Sequence, residues 1–380
     1  MFEAKEAVSR YLHTTASLVC LSVIGLSVVS YCGAKFVMDD ALMFVRYAHN
    51  WTGTGTVSWN PGESPAYGAT SLAFLSLVAL VSALFHSSPY VICQVASCGS
   101  GILFLRATVF TVIREIEKSF RSFVLLVVTA GLAGGAMFLS AQFMTGMDTT
   151  LAMFTVSCLL LIWRGGEAVL GPYPVGILGG CALLVRPDLL LLSLGVPVIM
   201  TLAGSSDQKR FWRRVAGSTV VTIAALCAIL TLYFGTPVPL STYAKVFSPY
   251  GPDFKAVYRS MPYKQSINFM AAYWLLFATA SGLLVLNAKD LFYRDHRLVL
   301  VLLLIVVSWF VYLLGVTQVM AYRGRFYHPV VLPCVIFLVV WGIKQTARNW
   351  GRWLCDAPSE LDSRSLLSSW HPRSPKPFRC

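Results

Sequence analysis

Residues 173–204 read YPVGILGGCALLVRPDLLLLSLGVPVIMTLAG, an apolar run in which Arg186 and Asp188 are the only charges. A helix needs about 20 apolar residues to cross the hydrocarbon of a bilayer. This run is long enough for two short segments, and Arg186-Pro187 marks the break, because proline lacks the amide donor and disfavours helix in the residue before it. Further apolar runs occupy 14–37, 68–86, 89–113, 122–142, 149–163, 215–234, 269–287, 298–318 and 329–346. Together they predict an all-α, polytopic transmembrane helix bundle of about 10–11 spans.

Composition agrees with that reading. Hydrophobic residues make up 56% of the chain and charged residues 12%, with a mean hydropathy of +0.67, outside the range of soluble globular domains. The net charge of +13 is spread over short loops: Arg114, Lys118 and Arg121; Lys209, Arg210, Arg213 and Arg214; Lys289, Arg294 and Arg297; then Lys344, Arg348 and Arg352. The tendency of basic loops to stay on the cytoplasmic side accounts for this pattern. Nucleic acid would require one basic face with stacking aromatics, so it is not an expected partner, whereas membrane lipids are. Cys20, Cys93, Cys98, Cys158, Cys181, Cys227 and Cys334 lie inside apolar runs and read as small hydrophobes. No Cys/His ligand spacing and no Gly-rich phosphate loop occurs, so neither a metal nor a nucleotide cofactor is indicated. The charged N-terminal segment leads into a run longer than a signal peptide, which predicts a signal anchor. Residues 1–346 are read as one membrane module and 347–380 as a basic, partly disordered cytoplasmic tail.

Placing the basic loops inside puts 38–67, about 142–148, Arg186-Pro187-Asp188, about 236–268 and 319–328 outside. The region 67–113 holds two apolar runs where one crossing is required, so one of them is re-entrant or interfacial, or a neighbouring loop lies on the other side. The outer segments carry most of the polar residues beyond the basic loops, so chemistry is expected there.

Asp39-Asp40 ends the first apolar run. One aspartate suffices to cap a helix and favour its dipole. Two adjacent carboxylates at a membrane boundary repel each other and suit one of them to take a proton from a hydroxyl, so Asp39 or Asp40 is the candidate base. The helix predicted over 40–51 places Arg46, His49 and Asn50 on one side and Leu42, Val45 and Ala48 in an apolar stripe. Asp148, after Gly146-Met147, is a second outer acid suited either to cap the next helix or to bind an acceptor sugar. Arg323-Gly324-Arg325 opposes the charge bias of outer loops and calls for an anion, which guanidinium groups hold through paired donors. Tyr243 and Lys245 follow a stiff Pro-Val-Pro entry into another outer segment, and Asp188 is a candidate partner for Arg186.

These motifs resemble the GT-C superfamily of polytopic membrane glycosyltransferases, closest to its mycobacterial terminal arabinofuranosyltransferase-like branch. The likeness runs in order through Asp39-Asp-Ala, Arg46-Tyr-Ala-His-Asn, Trp59-Asn-Pro-Gly-Glu, Tyr67-Gly-Ala-Thr-Ser, Gly146-Met-Asp-Thr, Leu184-Val-Arg-Pro-Asp, Phe234-Gly-Thr-Pro, Ser241-Thr-Tyr-Ala-Lys and Gly324-Arg-Phe, over residues 12–346. It departs where relatives often carry Glu for Asp148 and Pro for Leu72, and where many continue into a soluble outer domain. The resemblance implies a polyprenyl-phosphate sugar as donor and a glycan, lipid or protein acceptor. It implies inversion with the first-loop aspartate as base, and a bacterial cytoplasmic membrane with the site facing outward. Arg46, His49, Asp148, Tyr243, Lys245, Arg323 and Arg325 are then the expected substrate-binding residues. The rival readings are a secondary transporter and a non-catalytic cell-envelope assembly protein.

Overall fold

The computed structural model describes residues 39–165, 170–203, 206–247, 261–289, 291, 296–315 and 322–356. The predicted first span at 14–37 and the tail from 357 onward lie outside the described residues. Every regular element among the described residues is helical. In chain order these are α1 (Asp39–Thr54), α2 (Leu72–Phe85), α3 (Pro89–Glu115), α4 (Lys118–Gly134), α5 (Ala136–Met144), α6 (Thr149–Gly165) and α7 (Pro172–Val185). There follow α8 (Leu190–Ala203), α9 (Ser206–Phe234), α10 (Leu240–Phe247), α11 (Met261–Ala272), α12 (Trp274–Leu286), α13 (His296–Phe310) and α14 (Val331–Asp356).

Local chemistry sets several of the boundaries. Ser71 caps α2 by accepting from the Phe74 amide, and His86, in the left-handed region at φ 50°, ends it. Proline occupies the first turn of α3 and of α7, where a missing donor costs no helical hydrogen bond. The run at 173–204 breaks as its sequence predicts: α7 stops at Val185, and a short 3-10 turn over Pro187–Leu189 leads into α8.

The described residues show part of the expected set of crossings. Among the described residues α3, α9 and α14 are long and apolar enough to span a membrane, and the count rises to five if each of two bent pairs is one span. The bent pairs are α4 with α5, turned by 77° at Gly135, and α11 with α12, turned by 78° at Tyr273. These two breaks divide apolar runs that the sequence presents as continuous, whereas the one at Arg186-Pro187 falls where it was expected. Helices of 14 residues, such as α2 and α7, reach about 21 Å at 1.5 Å per residue, short of a 30 Å hydrocarbon core.

The two bends meet. Tyr273 lies against Gly135, with its hydroxyl 3.4 Å from the Gly135 carbonyl oxygen. At the centre of the bundle, α14 buries 67% of its apolar window, whereas α9 buries only 17% of its own and presents the rest outward. What α9 does bury is a seam against α7, where Gly176 and Gly180 leave room for Ser218 and Thr222, and Thr219 donates to the Gly176 carbonyl at 3.1 Å. Small residues that let helix backbones approach are a usual basis of packing in lipid. A second, smaller core joins α1 to α2 and α3 through Phe44, Phe74, Leu75, Val78 and Ile92.

The bundle has two chemically distinct ends. Glu115 at the end of α3 binds Arg164 of α6 at 3.2 Å and Lys344 of α14 at 2.7 Å, a clamp that joins three helices. The other end gathers Asp40, Asp148, Arg186 and Arg325, which lie at helix starts and breaks.

Candidate functional site

The first loop folds back on α1. Arg46 Nε donates to the Trp59 carbonyl at 2.7 Å, its Nη2 donates to Asn60 Oδ1 at 2.5 Å, and its guanidinium lies 4.3 Å from the Trp59 ring centre. Asn50 is buried and donates to the carbonyls of Ser58 and Trp59 at 3.0 and 2.9 Å. Arg46 therefore fixes the loop through its Nε and Nη2 donors. The apolar stripe is rotated from the expected one. Ala41, Phe44 and Ala48 are buried, with Phe44 edge-on to Phe74 at 5.1 Å, while Leu42 is 46% exposed. Packing of the Phe44 ring onto α2 decides this rotation, and helical spacing alone does not carry it. His49 is exposed.

Asp40, in the first turn of α1, forms an ion pair with Arg325 through Oδ2 and Nη1. The Arg325 side chain is 3% exposed and that of Asp40 16%. Arg325 is held by a tightly built turn: Arg323 and Gly324 both sit in the left-handed region, at φ 46° and 67°. Glycine takes that conformation without strain; arginine does so at a cost that its surroundings must offset. The Gly324 amide donates to Gln265 Oε1 at 3.2 Å, and Arg323 Nη1 donates to the Met137 carbonyl at 2.6 Å. His328, fully buried, closes the turn. Its Nδ1 lies 3.0 Å from the Gly324 carbonyl and so carries the proton, which leaves Nε2 to accept from the Tyr273 hydroxyl at 2.8 Å.

Burial pushes the His328 imidazole down to about 4 from its ordinary 6.5, against the upward pull of the Gly324 carbonyl. A base whose folded-state pKa is depressed contributes full stability above 6.5 and loses it as pH falls toward 4, because the unfolded chain takes up the proton first. Thermal unfolding in detergent is therefore expected to show stability declining across that window, and His328→Gln is expected to remove this part of the slope.

A second cluster adjoins the first. Arg186 Nε and Nη2 donate to Asp188 at 3.0 and 2.8 Å, and Arg186 Nη1 lies 3.8 Å from Asp148 Oδ1. Thr70 donates to Asp148 Oδ2 at 3.3 Å, and the Tyr312 hydroxyl donates to Asp188. The pairing of Asp188 with Arg186 is the one the sequence suggested. Asp148 is completely buried, and among the described residues its Oδ1 has no hydrogen-bond partner, like the neighbouring hydroxyls of Thr145 and Thr149. Among the described residues the cluster sets two carboxylates against one guanidinium. The Tyr312 ring also lies 5.9 Å from that of Phe326, tilted by 40°, which joins this cluster to the Arg325 turn.

The described structure thus brings together Asp40, Asp148, Arg323 and Arg325 at one end of the bundle. Tyr243 is 59% exposed. The side chains of Asp39 and Lys245 lie outside the described residues. Tyr312, Tyr273 and Thr70 were not singled out from the sequence as site residues. An isolated tyrosine within or at the end of an apolar run, as at 312 and 273, is the signal that was available. No group of three or more His, Cys, Asp or Glu is placed to hold a metal ion among the described residues.

No family model, curated protein or solved structure matches this chain. The reading of its function rests on the geometry above and on the motifs that lead to it.

Proposed function

We propose that the chain is an integral-membrane glycosyltransferase of the GT-C kind, moving a sugar from a polyprenyl-phosphate donor to a hydroxyl of a glycan, lipid or protein acceptor. The observation that carries this reading is the meeting of Asp40 with Arg325. A carboxylate fit to take a proton and a buried guanidinium fit to hold a phosphate come from opposite ends of the sequence to one place. In this reading the shorter apolar helices also lie within the bilayer as broken or tilted spans, and the site opens toward the outer face of a bacterial cytoplasmic membrane.

The step balances without a cofactor. The Asp39-Asp40 pair takes the acceptor's hydroxyl proton, the acceptor oxygen bonds to the anomeric carbon from the face opposite the phosphate, and the carbon–oxygen bond to phosphate breaks. The electron pair leaves on the phosphate oxygen, where Arg325, with Arg323 nearby, offsets the charge. Configuration at the anomeric carbon inverts.

The test is incubation of purified protein in lipid with a panel of polyprenyl-phosphate sugars and candidate acceptors, following release of polyprenyl phosphate. Turnover with at least one pair is expected. Absence of turnover across the panel would favour the second reading, a secondary transporter. The two bent helix pairs and the buried Asp148–Arg186–Asp188 cluster speak for that alternative, since broken helices and ionisable groups within the bundle are its marks.

A further inference from the structure

Arg186 and Arg325 are both buried guanidinium groups, yet their bonding differs. Arg186 presents a satisfied fork to Asp188, with Nε and Nη2 both donating to the carboxylate. Arg325 meets Asp40 through Nη1 alone, in a contact without hydrogen-bond alignment, and its buried Nε has no hydrogen-bond partner among the described residues. Asp40 therefore neutralises the cation without satisfying its donors. An oxyanion with several oxygens satisfies such a group better than one carboxylate oxygen in a poor orientation.

The two partners are also held unequally. Gln265, His328 and the left-handed backbone of Arg323 and Gly324 fix the turn that carries Arg325. Asp40 sits in the first turn of α1 and is the more exposed of the two. When the pair parts, Asp40 is the member that moves.

We infer that Asp40 is a displaceable occupant of a phosphate subsite on Arg325: a phosphate ester arriving there takes over the open donors and releases the Asp40 carboxylate toward the acceptor hydroxyl. This rests on the transfer reading above and adds regulation to it. Without donor, Asp40 is engaged with Arg325 and not free to act as base. With donor, the base becomes available at the moment its substrate is in place.

Binding of farnesyl monophosphate to the full chain in phosphatidylcholine nanodiscs, measured by titration calorimetry, tests the inference. Asp40→Asn is expected to bind it about 10-fold more tightly than the wild type, a gain of about 1.4 kcal/mol, because the competitor for Arg325 is gone. Arg325→Gln is expected to lose binding, and adding Asp40→Asn to it is expected to restore none. Asp40→Ser provides the same test if the Asn variant unfolds. A comparable gain for inorganic phosphate supports the inference, since the phosphate is then what competes. Equal or weaker binding by folded Asp40 variants overturns it, as does a gain seen equally with farnesol, which has no phosphate. The sugar-donor panel decides the transfer reading separately. Tightening without turnover keeps the displaced pair and removes the transferase, and turnover without tightening does the reverse.

Discussion

Asp40→Asn is expected to lower sugar transfer by about 10²–10⁴-fold, the range over which a positioned general base contributes. Asparagine keeps the shape of the side chain at the start of α1 and removes the charge and the capacity to take a proton. The buried Arg325 then loses its only ion-pair partner among the described residues, so some loss of stability accompanies the loss of rate, and thermal unfolding must be measured beside activity. A folded variant that transfers sugar within about 3-fold of the wild-type rate removes Asp40 from the role of base, given the size of effect a base supplies. Asp39→Asn, measured in parallel, separates the two acids: the member of the pair that takes the proton is the one whose loss cannot be offset by saturating donor.

The sequence carried the class of fold because apolar run length is a direct consequence of bilayer thickness. It did not carry the bends. The pair Gly134-Gly135 in the run 122–142 permits a bend, but the size of the 77° turn is set against Tyr273, far along the chain. Asp40, Asp148, Arg186 and Arg325 stood out for a physical reason: charge is costly near lipid, so each isolated charge invites a search for its partner. Which charge met which was legible only for Arg186 and Asp188, two positions apart. The union of Asp40 with Arg325 brings the start of α1 to the turn that precedes α14, a long-range arrangement that local pattern does not encode. The hold of Arg46 on the returning loop, through Trp59 and Asn60, was not legible either, because it joins positions 13 and 14 residues apart.

Arg186→Leu is expected to destabilise the protein by about 3–5 kcal/mol, the cost of leaving buried charge without its counter-ion. Two carboxylates depend on this guanidinium, Asp188 through a two-point contact and Asp148 at 3.8 Å. Arg186→Lys keeps the charge but cannot reproduce the planar fork, so its cost is expected to fall between that of Leu and the wild type. Asp148→Asn is expected to cost least of the three, because it removes the carboxylate in excess and leaves Arg186 and Asp188 as a balanced pair. Thermal unfolding in one detergent, at one pH, ranks the three variants. If Asp148→Asn proves as damaging as Arg186→Leu, Asp148 is a required partner and not the surplus acid, and the charge count of the cluster is wrong. The consequence reaches the catalytic end as well. Asp148 holds Thr70, behind the first loop, and Asp188 holds Tyr312, whose ring packs near Phe326 beside Arg325. Loss of Arg186 therefore loosens both walls of the site at once. Arg186→Lys, the variant most able to fold, is expected to weaken donor binding even though position 186 makes no contact with Asp40 or Arg325 among the described residues.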